Sequence, residues 1–447
     1  VEDGGGGAVM TDAHPGGTRN PTGLSRRGVL ASVGAGAALA GGLVGASALA
    51  GRAAAEKEDG KATTPASDAV AFYGTHQAGI TTAAQDRAHF ATFDLDPRAT
   101  RDTLTGLLRD WTDAAARLTQ GLGASTIGPL SGPYDAPPDD TGEAIGLPPA
   151  RLTITFGFGP TLFETADGVD RFGLAARRPD ALVTLPHFPG DNLDAARSGG
   201  DLSVQACSDD PQVAVHAVRN LTRIAMGRAQ LRWSQLGFGR TSSTSTAQDT
   251  PRNLFGFKDG TASLRGEQAE LVDTHVWVPQ GADPKADWLA GGSYQVVRKI
   301  AMHIETWDRS SLREQERIVG RSKSEGAPLS GGDEFTAVNF STAGRGGTPL
   351  VDPASHVALG HPDTNNGHHM LRRGYNYVDG NDELGRLSAG LLFIAYVTSP
   401  ATHYIPMQLA MARNDLMSEY LQHIGSGLFA VPPGVAQGEF VGQALFS

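Results

Sequence analysis

Arg151-Leu152-Thr153-Ile154-Thr155-Phe156-Gly157-Phe158 alternates apolar side chains with small or polar ones. Period two puts Leu152, Ile154, Phe156 and Phe158 on one face, the pattern of a half-buried strand. Working outward, strands are expected at 89–95, 202–207 and 231–238, and helices at 103–118 and 213–224. The Pro/Gly-rich stretch 128–149 reads as a long surface loop. After the polar, low-complexity run 240–247 the rhythm returns. Strands are expected at 274–278, 293–304 and 390–398, and helices at 311–319 and 404–422. This antiparallel-style mixture predicts an α+β fold, with antiparallel sheets flanked by helices, rather than a parallel doubly wound sheet. It divides the chain into an N-terminal domain (69–240), a linker (241–252) and a C-terminal domain (253–447). No dinucleotide-binding or phosphate-loop glycine pattern stands between a strand and a helix.

Hydrophobic residues make up 40% of the 447 positions and charged residues 19%, which fits a folded body of one or two domains. The net charge of -11 argues against a nucleic-acid partner, which needs a basic face. Cys207 is the single cysteine. Intramolecular disulfides, iron–sulfur clusters, Cys-rich zinc sites and Cys-x-x-Cys-His haem attachment are therefore excluded. Cys207 closes a strand and reads as a packed thiol.

Residues 1–55 read as a leader rather than fold. Ser25-Arg26-Arg27-Gly28-Val29-Leu30 is a twin-arginine pattern, and no charge follows until Arg52. That run is long enough to span a bilayer, so an anchor competes with an export signal. It consists largely of Ala and Gly, and Ala53-Ala54-Ala55 offers a small-residue cleavage site, which favours a twin-arginine signal peptide. The expected location is periplasmic or extracellular, with the twin-arginine export machinery as a partner. Residues 56–68 read as a flexible leader.

Three places can carry chemistry. In Gly256-Phe257-Lys258-Asp259-Gly260 a carboxylate lies between glycines, where the backbone can bend and another molecule can approach; an ordinary Asp-Gly turn is the competing reading. In 293–302 period two puts Arg298 on a face with Tyr294, Val296, Ile300 and Met302, so its charge must meet an anion. That anion is either a structural carboxylate or the carboxylate of a ligand. His356 precedes an apolar run and a turn, as either a satisfied core histidine or a metal ligand. A ligand role needs an acceptor for the second ring nitrogen, and Asp415 is a candidate. His368-His369 lies in a Gly/Asn-rich loop and reads as solvated. Arg372-Arg373 stands among apolar and aromatic residues.

Six segments then fall in a recognisable order: Phe72-Tyr73-Gly74-Thr75-His76-Gln77-Ala78-Gly79-Ile80, 253–261, 293–298, 355–362, 371–377 and Gly390-Leu391-Leu392-Phe393. Across 70–435 the chain resembles the dye-decolourising haem peroxidases, in the twin-arginine-exported subgroup that includes deferrochelatase-like proteins. The resemblance implies two ferredoxin-like domains and one non-covalent haem b per chain, in a pocket mainly in the C-terminal domain. It implies His356 as the proximal iron ligand with Asp415 behind it, Asp259 as the distal acid, and Arg372 rather than Arg373 as the distal arginine. Gly260, Thr261 and Ala262 would line the haem beside Asp259. His361, Pro362 and Asp363 would border it, Arg298 would meet a propionate, and Leu391 and Phe393 would form an apolar wall. The implied reaction reduces hydrogen peroxide and oxidises dyes or phenolic donors by single electrons, with Tyr420 or Trp277 as surface relays for bulky donors. A haem-handling role that releases iron is the alternative. The resemblance leaves room for a homo-oligomer.

Overall fold

The structure, a computed structural model, describes residues 68–447. The twin-arginine segment and nearly all of the expected 56–68 leader lie outside the described residues. The N-terminal half runs β1 (Arg87–Leu95), α1 (Arg101–Leu118), β2 (Thr153–Phe158), α2 (Pro160–Phe163), β3 (Leu202–Ser208), α3 (Pro211–Ala225) and β4 (Ala229–Arg240). The C-terminal half runs α4 (Ala269–His275), β5 (Ser293–Met302), α5 (Ile304–Trp307), α6 (Leu312–Val319), α7 (His356–Gly360), β6 (Leu371–Arg372), β7 (Tyr375–Asn381), β8 (Leu387–Val397), α8 (Tyr404–Asn414) and β9 (Leu421–Val431).

Pairing is antiparallel throughout, in the order β4-β1-β3-β2 in one half and β7-β8-β5-β9 in the other. Both orders place the first and third main strands centrally, the ferredoxin-like arrangement. The sheets meet at two edges, through Phe158 opposite Ala430 and through β4 beside β7.

Local chemistry explains the helices that frame the first sheet. Thr100 accepts a hydrogen bond from the Thr103 N–H to start α1, whose buried Leu104, Leu107, Leu108, Trp111 and Leu118 form one stripe. Asp210 caps α3, and Pro211 occupies its first turn, where a missing N–H costs nothing. Leu152, Ile154, Phe156 and Phe158 join α1 and α3 in the largest hydrophobic cluster.

Three expectations need correction. β2 is buried on both faces, not half-buried. Its hydroxyls are bonded inside the protein: Thr155 Oγ1 donates to the Ala78 carbonyl at 2.7 Å, and Gln85 Nε2 donates to Thr153 Oγ1 at 3.2 Å. The stretch expected as strand 274–278 is instead the end of α4 and the turn after it. The helix expected over 404–422 stops at Asn414, and Leu421 opens β9, whose Ser and Gly residues hide a strand pattern. Separately, the run read as the linker between the two halves is buried from Thr241 to Ser245. There Ser243 Oγ donates to the Asp249 carbonyl at 2.7 Å and Thr244 Oγ1 to the Thr82 carbonyl at 2.6 Å, so polarity does not mean solvation.

Candidate active site

Gly256 and Gly260 both have positive φ, +81° and +85°. A Cβ on Gly260 would lie 2.8 Å from Ser242 Cα, so this turn and the buried 241–245 run pack backbone to backbone. The turn is further anchored by Phe255, which stacks on Trp307 at 4.3 Å, while Trp307 Nε1 donates to the Phe255 carbonyl at 3.2 Å. Lys258 pairs with Glu334. Asp259 is thereby held with its N–H donating to the Pro251 carbonyl at 2.9 Å. Its Oδ2 accepts from Asn253 Nδ2 at 3.2 Å and its Oδ1 from Arg372 Nη1 at 2.9 Å.

β6 separates the two arginines. Arg372 pairs with Ala395 of β8 and its N–H donates to Ser263 Oγ at 3.1 Å, leaving its guanidinium towards Asp259. Arg373 is fully buried, on the Ile80 and Thr82 carbonyls and Gln85.

His356 opens α7, where the Ser355 hydroxyl accepts from the Ala358 N–H. Its Nδ1–H donates to Asp415 Oδ2 at 2.7 Å, and Asp415 Oδ1 accepts from the Met417 N–H at 2.9 Å. Burial works against the charged ring, but the Asp415 carboxylate outweighs it and raises the His356 pKa. Nε2 has no hydrogen-bond partner among the described residues. One cavity is lined by His356, Asp259 and Arg372 together. Apart from Pro189 and Gly190, its lining comes from the C-terminal half.

Gly260, Thr261, Ala262, His361, Pro362, Leu391 and Phe393 also line this cavity. Asp363 does not; its carboxylate is 72% exposed. Arg298 is fully buried behind the wall and paired with Asp191, so a protein carboxylate is the anion it meets. Its Nε and Nη1 have no hydrogen-bond partner among the described residues. Tyr420 and Trp277, named as surface relays, are both buried, Tyr420 edge-on to Trp307 and Trp277 stacked on His76. His368 and His369 line the cavity instead of standing in solvent. Sequence reading also missed Arg321, Met407 and Met411 in the lining. The two methionines stand at i and i+4 on α8, a helical signal that could have found them.

Residues 77–239 match the family model for the N-terminal part of Dyp-type peroxidases, and residues 250–436 the model for the C-terminal part. The chain belongs to the Dyp-type peroxidase family. It is 36% identical over 444 residues to the dye-decolorizing peroxidase of Thermobifida fusca, covering 95% of this chain and 97% of that one. It is 37% identical over 415 residues to the deferrochelatase of Escherichia coli K12, covering 90% and 95%. Ferric DtpA from Streptomyces lividans superposes with a TM-score of 0.77 at 40% identity, covering 87% of this chain and all of the other. As a Dyp-type peroxidase the chain is a haem enzyme.

The residues present fit that group. One ring nitrogen tied to a carboxylate and the other free is the usual arrangement of an iron-binding histidine. The wall between it and Asp259 includes Ile300, Val357, Leu391 and Phe393, which suits an apolar macrocycle.

Proposed function

We propose that this Dyp-type peroxidase reduces hydrogen peroxide at a haem held through His356 Nε2, with Asp259 moving the proton and Arg372 stabilising charge. The observation that carries this reading is the 2.9 Å pair between Arg372 Nη1 and Asp259 Oδ1 in the cavity that His356 lines. Haem bound there would supply the redox chemistry for two-electron reduction of peroxide and single-electron oxidation of donors. Asp415 holds the Nδ1 proton of His356, which fixes the tautomer and keeps Nε2 free for the metal. Asp259 takes a proton from one peroxide oxygen and delivers it to the other, so that the second leaves as water. Arg372 donates to the oxygen on which negative charge grows. Asn253 and Arg372 orient the two carboxylate oxygens, so no reorganisation is needed at the moment of transfer. The donors are dyes and phenolic compounds oxidised by single electrons. Arg298, with two spare donors beside the cavity wall, suits a propionate only if Asp191 shares it.

The identity to deferrochelatases supports a second reading, iron release from haem with the porphyrin kept intact. Purified protein given haem, peroxide and dye separates the two. Dye oxidation with iron retained supports the peroxidase, whereas ferrous iron released in step with free porphyrin supports the other. Export by the twin-arginine pathway, to the periplasm or beyond the cell, rests on Ser25-Arg26-Arg27-Gly28 and the weakly apolar run behind it.

A further inference from the structure

Beside the haem cavity, four histidines converge that the peroxidase chemistry does not use. His275 ends α4, His403 precedes α8, and His368 and His369 lie between α7 and β6. His275 and His403 are buried, 8% and 4% exposed. His275 Nδ1 lies 3.0 Å from His403 Nε2. The His368 ring stands 4.3 Å from that of His403, and the His369 ring 5.1 Å from that of His275. One ring nitrogen from each of His275, His368 and His403 falls within 4.8 Å of the other two.

We propose that His275, His368 and His403 form a site for a divalent transition-metal ion, separate from the haem iron. Imidazole nitrogens suit zinc, copper and nickel rather than calcium or magnesium, which take oxygen. Zinc–imidazole bonds of roughly 2.0–2.1 Å in a tetrahedron place ligand nitrogens about 3.3 Å apart. The 3.0 Å pair is near that spacing, and His368 has a ring nitrogen within 4.8 Å of both partners. His403 also has the outer contact of a ligand, because its Nδ1 meets Thr402 Oγ1 at 2.9 Å and can donate there while Nε2 faces the cluster. His275 Nδ1 and His403 Nε2 now share one hydrogen bond, and a bound ion would take the place of its proton. Since His368 lines the haem cavity, the ion would sit at its wall.

The test uses haem-loaded protein and Zn2+ alone as the probe. Calorimetric titration and zinc-to-iron ratios after dialysis should show one zinc per chain, with affinity at least tenfold weaker in His368→Gln and unchanged in His187→Gln, which alters an exposed histidine. X-ray absorption at the zinc edge of the unaltered protein is independent of any variant, and should show a nitrogen shell with the scattering of three or more imidazoles. An oxygen-dominated shell, no retained zinc, or equal affinity in a His368→Gln protein that keeps its haem spectrum overturns the site.

Discussion

The Asp259 carboxylate accepts from Arg372 and Asn253 while its own N–H is tied to Pro251, so its position is specified by three bonds. Asp259→Asn keeps the shape and removes the proton acceptor. The haem-loaded variant is expected to keep its absorption spectrum and to react with peroxide about 10²–10⁴-fold more slowly in stopped flow. Equal rates would remove Asp259 from the proton path. The separate fates of Arg372 and Arg373 are a residue-scale lesson. Arg372 ends β6 and the Arg373 N–H just beyond it still bonds the Ile394 carbonyl, so the extended backbone sends the two side chains to opposite sides, and the sequence alone does not say which faces the cavity. The resemblance singled out Arg372, and only the β6–β8 register shows why its neighbour lies buried among carbonyls.

At the scale of elements, the Asp259 turn depends on backbone that only glycine supplies. Gly260→Ala puts a Cβ 2.8 Å from Ser242 Cα at a φ of +85°. The expected cost is about 1–3 kcal/mol, read as a lower denaturant midpoint, with slower peroxide reaction as the turn pulls Asp259 from Arg372. An unchanged midpoint and rate would show that the 241–245 run yields freely. α1 was legible because one apolar stripe meets one core, and β2 and β5 from their alternation, although both of their faces are buried. α4 and β9 were not. Thr274-His275-Val276-Trp277-Val278 has β-branched and aromatic residues, yet it forms the end of a helix because Val272 and Val276, one turn apart, both pack in a buried cluster. β9 was missed because its Gly425 and Gly427 pack where a Cβ would meet Arg197 or Phe429.

Across the whole molecule, the two sheets are joined by a buried polar layer as well as by their edges. Gln295 of β5 donates to Tyr396 Oη at 2.8 Å and to Gln205 Oε1 at 3.2 Å, and accepts from Ser203 Oγ at 3.2 Å. Gln295→Leu leaves the buried Ser203 hydroxyl without its acceptor, while Tyr396 keeps Gln205, so a loss of about 1–3 kcal/mol is expected in urea unfolding. A neutral result would mean that the layer rearranges without cost. Acid sensitivity is also a global property. Burial holds His89 at about 4, and burial with the Arg298 charge holds His423 at about 3, against 6.5 for a free ring. In that interval the unfolded chain binds more protons than the folded one. Stability from these groups is therefore complete above about pH 6.5 and declines as pH falls towards about 4, above most carboxylate titration. The urea midpoint of haem-loaded protein should fall over that window, and His89→Leu should fall less. An identical slope would exclude His89 as a contributor.

The chain's own residues determined the α+β class, the non-covalent nature of any haem and the candidacy of a glycine-flanked acid and of a histidine ahead of an apolar run. Strand alternation, a single cysteine and a glycine-flanked carboxylate are local facts, readable one segment at a time. Tertiary structure alone decided that His356 and Asp259, far apart in sequence, line one cavity, that Arg298 meets Asp191, and that His275, His368 and His403 converge. Those pairings depend on sheet order and loop path, which bring distant segments together for the sake of a shared core, and no local pattern encodes them.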